Sequence, residues 1–404
     1  MAYSIIEILQ VFVWRNKMIK VLEFIPVNKL APVGGQFGYL YNLMKGKIDS
    51  DVQIDFLSEV KSTTKNIPPL IKGVLKVVYG WKPIIDIYKG NNLSAELFDS
   101  YDYVHFHSTL DLYKNRKMLS GCSSKIILTS HCPKPMHKEM YEDRFSKIEQ
   151  IFLGKLKERC YEAFDEYSFD NADYIVFPCE EAEEPYYNNW EKYCDIKNRN
   201  RFKYRYMLSG VQKKNPAIDA QIIRERLQLN NKFVISYVGR HVGAKGYDLL
   251  KKYARSLLKG KGIAVVVCGK EEPMTGLKDE NWIEIGWTKD ADSYVNMSDV
   301  FVLPNRETYF DLVLLEVMSI GKIVVASRTG GNKHFEQYNS GIFLYRDETE
   351  FIDIIHKIKN MSNSEREILG KKNREIYEKI FNEKAFYLRY IECIHNIYKE
   401  CESK

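Results

Sequence analysis

Phe233-Val234-Ile235-Ser236-Tyr237-Val238-Gly239-Arg240-His241-Val242-Gly243-Ala244-Lys245-Gly246 is the stretch on which the fold turns. Its first six residues form a near-continuous apolar, β-branched run, which suits a strand buried on both faces of a parallel sheet. A glycine-containing loop with two cations follows, then the helical pattern of Tyr247-Asp248-Leu249-Leu250. Strand, polar loop and helix recur outward in both directions. In the first half the strand-like runs are Ile19–Ile25, Gln53–Leu57, Tyr103–His107, Lys125–Ser130 and Tyr174–Phe177. In the second half they are Phe233–Val238, Ile263–Cys268, Val300–Leu303, Ile323–Ala326 and Ile342–Tyr345. Strands alternating with helices predict doubly wound α/β domains, and there are enough strands for two sheets. A polar stretch, Asn188–Asn200, reads as irregular, and the junction falls near residues 205–215. The expected division is an N-terminal domain over 1–208, a C-terminal domain over 209–383 and a terminal helix over 384–404.

Composition bounds the function. The 404 residues are 45% apolar and 28% charged, which excludes collagen-like, disordered and coiled-coil chains. No run approaches the roughly 18 apolar residues of a membrane span. A net charge of +6 suits anionic substrates but is too small to imply nucleic acid. Tyr is frequent, at 28 copies. The eight Cys form no C-x2-C pair and read as reduced cytosolic thiols, with no zinc site. Residues 1–17 contain the apolar stretch Ile5–Trp14 without a preceding basic residue. They read as an upstream extension before a start at Met18, or as a short interfacial helix.

In open α/β sheets ligands bind beyond the carboxyl ends of the strands. Gly34-Gly35 follow the first strand; such a pair makes a tight turn or aims backbone N–H groups at an anion. Neither a G-x-G-x-x-G fingerprint nor a P-loop is present, which argues against a nicotinamide enzyme and a P-loop ATPase. Arg240 and Lys245 bracket the loop after the central strand, where two cations can neutralise a departing diphosphate. Asp311 is placed to begin a helix after Val300–Leu303, whose first-turn N–H groups can hold an anion or sugar hydroxyls. Glu316 lies one turn further among apolar neighbours, where a carboxylate is costly without partners.

These pieces resemble the family-4 retaining glycosyltransferases of GT-B fold. The resemblance is carried by Tyr237-Val238-Gly239-Arg240 with Lys245-Gly246-Tyr247-Asp248-Leu249-Leu250, by Ile283-Glu284-Ile285-Gly286-Trp287, by Ser298-Asp299-Val300-Phe301-Val302-Leu303-Pro304 and by Leu315-Glu316-Val317-Met318-Ser319-Ile320-Gly321-Lys322. It implies two Rossmann-like domains facing a central cleft, with the terminal helix crossing back to the N-domain. Gly34 and Gly35 would approach the donor diphosphate, Arg240 and Lys245 would hold it, and Glu316 would hold the ribose. The region around Gly286 would lie near the base. The backbone of Phe310, Asp311, Leu312 and Val313 would face the donor sugar. His131 matches the N-domain histidine near the reacting sugar, although a core histidine is the competing reading. Three positions depart from the pattern. The first glutamate of the Glu-x7-Glu motif falls on Thr308, with Glu307 one residue early, and Asp311 stands where glycine is usual. His334 takes a slot near Gly330-Gly331 where Glu is common. Either Glu307 swings in, or Thr308 and Asp311 take over the sugar contacts.

The resemblance therefore implies a retaining, metal-independent transferase that uses a UDP- or GDP-linked sugar and no cofactor. Asp290-Ala291-Asp292 reads as a helix cap rather than a metal-binding pair. Acceptors are expected to be a glycan, a lipid-linked glycan or a protein. A non-catalytic GT-B partner subunit and a sugar-nucleotide epimerase are the competing functions. His107 is a further cleft candidate. Lys65–Lys82 interleaves apolar residues with lysines, as a solvated core helix does, or as a segment lying on an anionic membrane does. The expected location is the cytoplasm, with peripheral contact at the inner face of the membrane.

Overall fold

A computed structural model describes residues 18–25, 30, 32, 35–57, 81–90, 93–260 and 262–402. The first sheet holds β1 (Ile19–Phe24), β2 (Val52–Phe56), β3 (Tyr103–Phe106), β4 (Lys125–Leu128), β5 (Tyr174–Phe177) and β6 (Tyr204–Tyr206). Its order is β2-β1-β3-β4-β5-β6, with every pairing parallel. The second holds β7 (Phe233–Val238), β8 (Ile263–Cys268), β9 (Trp282–Gly286), β10 (Val300–Leu303), β11 (Ile323–Ser327) and β12 (Ile342–Tyr345). Its order is β12-β11-β10-β7-β8-β9, again parallel throughout. The helices that position the site are α1 (Gln36–Lys45), α2 (Tyr247–Leu257), α3 (Leu312–Ile320) and α4 (Glu383–Glu402).

The β-branched runs behave as their burial demands. β8 is buried at every position, and β7 at all but Val238, because helices cover both faces of the sheet. Strand order reverses direction between β1 and β3 in one sheet and between β7 and β10 in the other, and such switch points open the crevices in which ligands sit. The loops bearing Gly35 and His107 leave the first switch point; those bearing Lys245 and Asp311 leave the second.

Two sequence expectations are revised. The strand runs omitted β6 and β9, which are short edge strands with few buried positions. Asn188–Asn200 is not irregular, since helices run over Glu184–Asn189 and Tyr193–Arg199. Trp190, Tyr193 and Ile196, spaced by three, are all buried and pin this polar segment to the core.

α4 packs against the first sheet. Phe386, Tyr387, Tyr390, Ile394 and Ile397 are buried beside Ile19, Val21, Tyr39, Leu40 and Leu43. Asn382 caps α4 by accepting from Ala385 N at 2.9 Å, and the chain there pairs with Val211 of the connecting segment. Arg389 donates to the Leu208 carbonyl at 3.0 Å, tying the two crossings together.

Candidate functional site

The C-terminal half of the site begins at Gly246. Its φ of 65° is left-handed, and a β-carbon there would lie 1.6 Å from the Pro304 carbonyl oxygen, so only glycine fits. This contact presses the loop after β7 onto the loop after β10. Arg306 reinforces it, donating to the Gly243 carbonyl at 2.7 Å and pairing with both carboxylate oxygens of Asp248 at 2.7 and 2.6 Å. As a result Lys245 Nζ lies 2.6 Å from Asp311 Oδ2, which also accepts from Asn305 Nδ2 at 2.6 Å. Burial works against the Asp311 charge, but Lys245 and Asn305 outweigh it and hold the carboxyl below its usual range. Asp311 occupies the N-cap position of α3, yet its side chain makes no cap hydrogen bond. Arg240 is exposed, with its carbonyl fixed by the Tyr237 hydroxyl at 3.0 Å.

Glu316 sits one turn into α3 and meets Lys214 Nζ at 3.1 Å, with Asp292 4.0 Å from the same amine. Burial pushes the Glu316 carboxyl up, partly offset by Lys214. Gly286 ends β9 with φ 78° and open space where a side chain would project, next to the exposed Trp287. Phe310 is buried against Phe335 and Phe381, while Leu312 and Val313 in the first turn of α3 are half-buried.

The altered motif positions separate. Thr308 is buried, its hydroxyl 3.3 Å from Asn305 Nδ2 rather than free toward a sugar. Glu307 instead reaches the N-domain: it accepts from Asn189 Nδ2 at 2.7 Å and lies 3.9 Å from Lys134 Nζ. Glu184 of the N-domain pairs with Lys333, and His334 lies 3.5 Å from Glu181.

In the N-terminal half, Gly35 begins α1 with φ 74°, a left-handed conformation that favours glycine. Gly34 lies outside the described residues, as do residues 1–17 and most of Lys65–Lys82. His131 is half-buried, packed on the Tyr39 ring at 4.7 Å and facing the ring edge of Tyr309 at 6.4 Å. Tyr309 belongs to the same loop as Asp311, so His131 adjoins the loop beside the Lys245 cluster. Behind His131 a buried chain runs inward. His131 Nε2 lies 2.9 Å from His107 Nδ1, and His107 Nε2 lies 2.5 Å from Glu23 Oε2. The Tyr390 hydroxyl of α4 donates to Glu23 Oε1 at 2.5 Å. His105 completes the group, 3.3 Å from Glu23 Oε2 and 2.8 Å from the Thr129 hydroxyl. Burial opposes the Glu23 charge, but His105 and His107 hold its carboxyl far below the usual carboxylate range. Burial lowers His107 to about 4 and holds His131 well below its ordinary value.

Sequence reading did not reach Glu23, Tyr390, Lys134 or Lys214. For Glu23 a signal existed, a lone carboxylate in the apolar strand Ile19–Phe24.

Residues 232–360 match the family model described as "Glycosyl transferases group 1". The chain is 26% identical over 212 residues to the capsular polysaccharide biosynthesis glycosyltransferase CapM of Staphylococcus aureus, covering 48% of this chain and 55% of that one. It is 25% identical over 164 residues to an Escherichia coli UDP-Gal:alpha-D-GlcNAc-diphosphoundecaprenol alpha-1,3-galactosyltransferase, covering 37% and 42%. The chain spans 55% and 42% of the lengths of these two relatives. Among solved structures, sucrose-phosphate synthase of Thermosynechococcus elongatus superimposes with a TM-score of 0.67 at 18% identity, over 95% of this chain and all of that one. Anabaena HepE in complex with UDP-glucose gives 0.63 at 13% identity, over 94% and 100%. Two parallel six-stranded sheets and these neighbours make the fold GT-B, with a glycosyl transferases group 1 match over residues 232–360.

Proposed function

We propose that this chain is a glycosyltransferase that moves a sugar from a UDP- or GDP-linked donor to a glycan, lipid-linked glycan or protein acceptor, with retention of configuration. The observation that carries this reading is the convergence of Lys245, Asp311 and the start of α3 at the β7/β10 switch point, with Glu316 one turn along. There, Lys245 and Arg240 neutralise the departing diphosphate, the first-turn N–H groups of α3 add partial positive charge, and Glu316 takes the ribose hydroxyls. The donor displaces two internal pairings, Lys245–Asp311 and Lys214–Glu316. Metal independence is supported by the partners of the Asp290-Ala291-Asp292 segment. Asp290 accepts from the Ser293 hydroxyl at 2.8 Å, and Asp292 faces Lys214. No cofactor beyond the donor is required by this chemistry.

The names of the relatives support a capsular or lipid-linked acceptor. Peripheral contact with the inner membrane face fits such an acceptor. Among the described residues no helix is long and apolar enough to cross a membrane. Product analysis after incubation with a nucleotide-sugar panel tests the assignment; wild-type turnover in both Lys245→Ala and Glu316→Ala would sink it. A second reading, a non-catalytic GT-B partner subunit, is favoured by one observation: Lys245 is already neutralised by Asp311. Thermal shift separates the two, because a chain that no nucleoside diphosphate stabilises is a scaffold.

A further inference from the structure

We propose that Glu23 and His107 are positioning residues that fix the tautomer of His131, so that its bare Nδ1 accepts a hydrogen bond from a substrate hydroxyl in the cleft. The proposal rests on the transferase reading and extends it inward from His131.

The hydrogen-bond chain has only one consistent direction. A carboxylate can only accept, so the Tyr390 hydroxyl donates to Oε1 and His107 donates from Nε2 to Oε2. A neutral His107 with its proton on Nε2 has a lone pair on Nδ1. That lone pair must accept from His131, whose Nε2 lies 2.9 Å away and therefore carries the proton. His131 Nδ1 is left without a proton, and it has no hydrogen-bond partner among the described residues. Every nitrogen and oxygen of the Glu23, His105 and His107 side chains is paired within the cluster, Glu23 and His107 within 2.9 Å. The cluster therefore fits protons rather than an ion.

The elements facing His131 agree with this assignment. α1 supplies the neutral Tyr39, the C-domain loop supplies Tyr309, and α4 supplies Tyr390 through Glu23. None offers a carboxylate directly to His131; the anion stands one ring behind it. The arrangement resembles a base oriented by a buried acid, with an extra imidazole inserted between them. It selects for a hydroxyl at the site and against an acceptor atom, since two lone pairs facing each other repel.

Long-range proton–nitrogen NMR on the full chain labelled at histidine reads this state directly, without any substrate. The expected wild-type result is a protonated Nε2 and a bare Nδ1 on His131. A proton on Nδ1, or a mixture, would overturn the proposal. Glu23→Gln keeps the volume but replaces the pure acceptor with an amide that also donates. It should populate both His131 tautomers, and a single wild-type tautomer would count against the relay. Tyr390→Phe, which retains the carboxylate, should leave the tautomer unchanged, and its loss there would also overturn the proposed direction. The wild-type spectrum stands as a test even if Glu23→Gln fails to fold.

In turnover, Glu23→Gln should lower kcat at least tenfold, with donor KM and nucleoside diphosphate affinity within twofold of wild type. A comparable fall in both kcat and nucleotide affinity would point to structural collapse and reject positioning. Loss of donor hydrolysis without acceptor places the hydroxyl on the donor sugar; loss of transfer alone places it on the acceptor. A protein that binds no nucleotide and turns over no donor would remove the transferase reading, while the His131 spectrum would still decide the tautomer.

Discussion

At the β7/β10 switch point the candidate side chains are cations near water, Arg240 exposed and Lys245 34% exposed, the latter paired to the Asp311 carboxylate. At the β1/β3 switch point, behind the half-buried His131, two imidazoles and a carboxylate have almost no surface and are locked by hydrogen bonds and ion pairs to one another and to Tyr390. The strand orders differ as well, with one strand beyond β1 and two beyond β10. Under the proposed transferase function, one crevice exchanges partners and the other holds a single geometry. Capture of a diphosphate needs the first property, and aiming one lone pair at a hydroxyl needs the second.

The contrast can be broken first through the packing beneath the locked half. Phe386 of α4 is fully buried, and its ring meets Tyr39 edge-on at 4.9 Å. Phe386→Ala should cost about 3–5 kcal/mol in urea unfolding. An unchanged midpoint would mean that α4 is not part of that core. Next, Lys245→Ala should lower donor turnover about 100- to 1,000-fold, as loss of a transition-state charge partner does. An effect confined to KM would make Lys245 a ground-state contact only.

Acid should find the locked half before the exchanging half. An unfolded histidine takes a proton near pH 6.5, but folded His107 resists until about 4. Over that interval the unfolded state binds more protons, so stability present above pH 6.5 is lost as pH falls. The slope should be about 1.4 kcal/mol per pH unit for each such histidine. His131 adds in the same direction, and ionised Glu23 extends the loss below the ordinary carboxylate range. Urea midpoints between pH 7 and 5 measure it, and His131→Phe should flatten the curve. The smallest effect should come from Asp311→Asn, which frees Lys245 for a diphosphate and should tighten UDP or GDP binding about fivefold, near 1 kcal/mol. Calorimetric titration reads it, and unchanged binding would show that the pair does not compete with the ligand.

Much of this architecture was legible in the residues alone. β5, β8 and β10 lie where their apolar runs predicted, because a fully buried strand has no alternative face to show, and β7 and the less buried β12 fall on their runs as well. β6 and β9 escaped because an edge strand needs few apolar residues. Lys245 and Glu316 could be picked from spacing, since each sits on the loop or helix that follows a clear strand. The displaced first glutamate was visible, but its outcome was not. The burial of Thr308 and the reach of Glu307 to Asn189 depend on how two domains meet, which no local pattern encodes. The His131–His107–Glu23–Tyr390 chain was hidden for the same reason, as it joins three strands and a distant helix.

That distance carries a consequence for biogenesis. Glu23 and Tyr390 are separated by 367 positions. At about 5–20 residues per second, roughly 20–70 seconds pass between the synthesis of the carboxylate and that of its phenol partner. During translation the first sheet thus emerges with Glu23 Oε1 lacking its phenol donor and an apolar face uncovered. The nascent chain should need shielding by a chaperone until α4 arrives. Pulse-labelled folding intermediates should accordingly become protease-resistant over the N-domain only after residue 390 clears the ribosome.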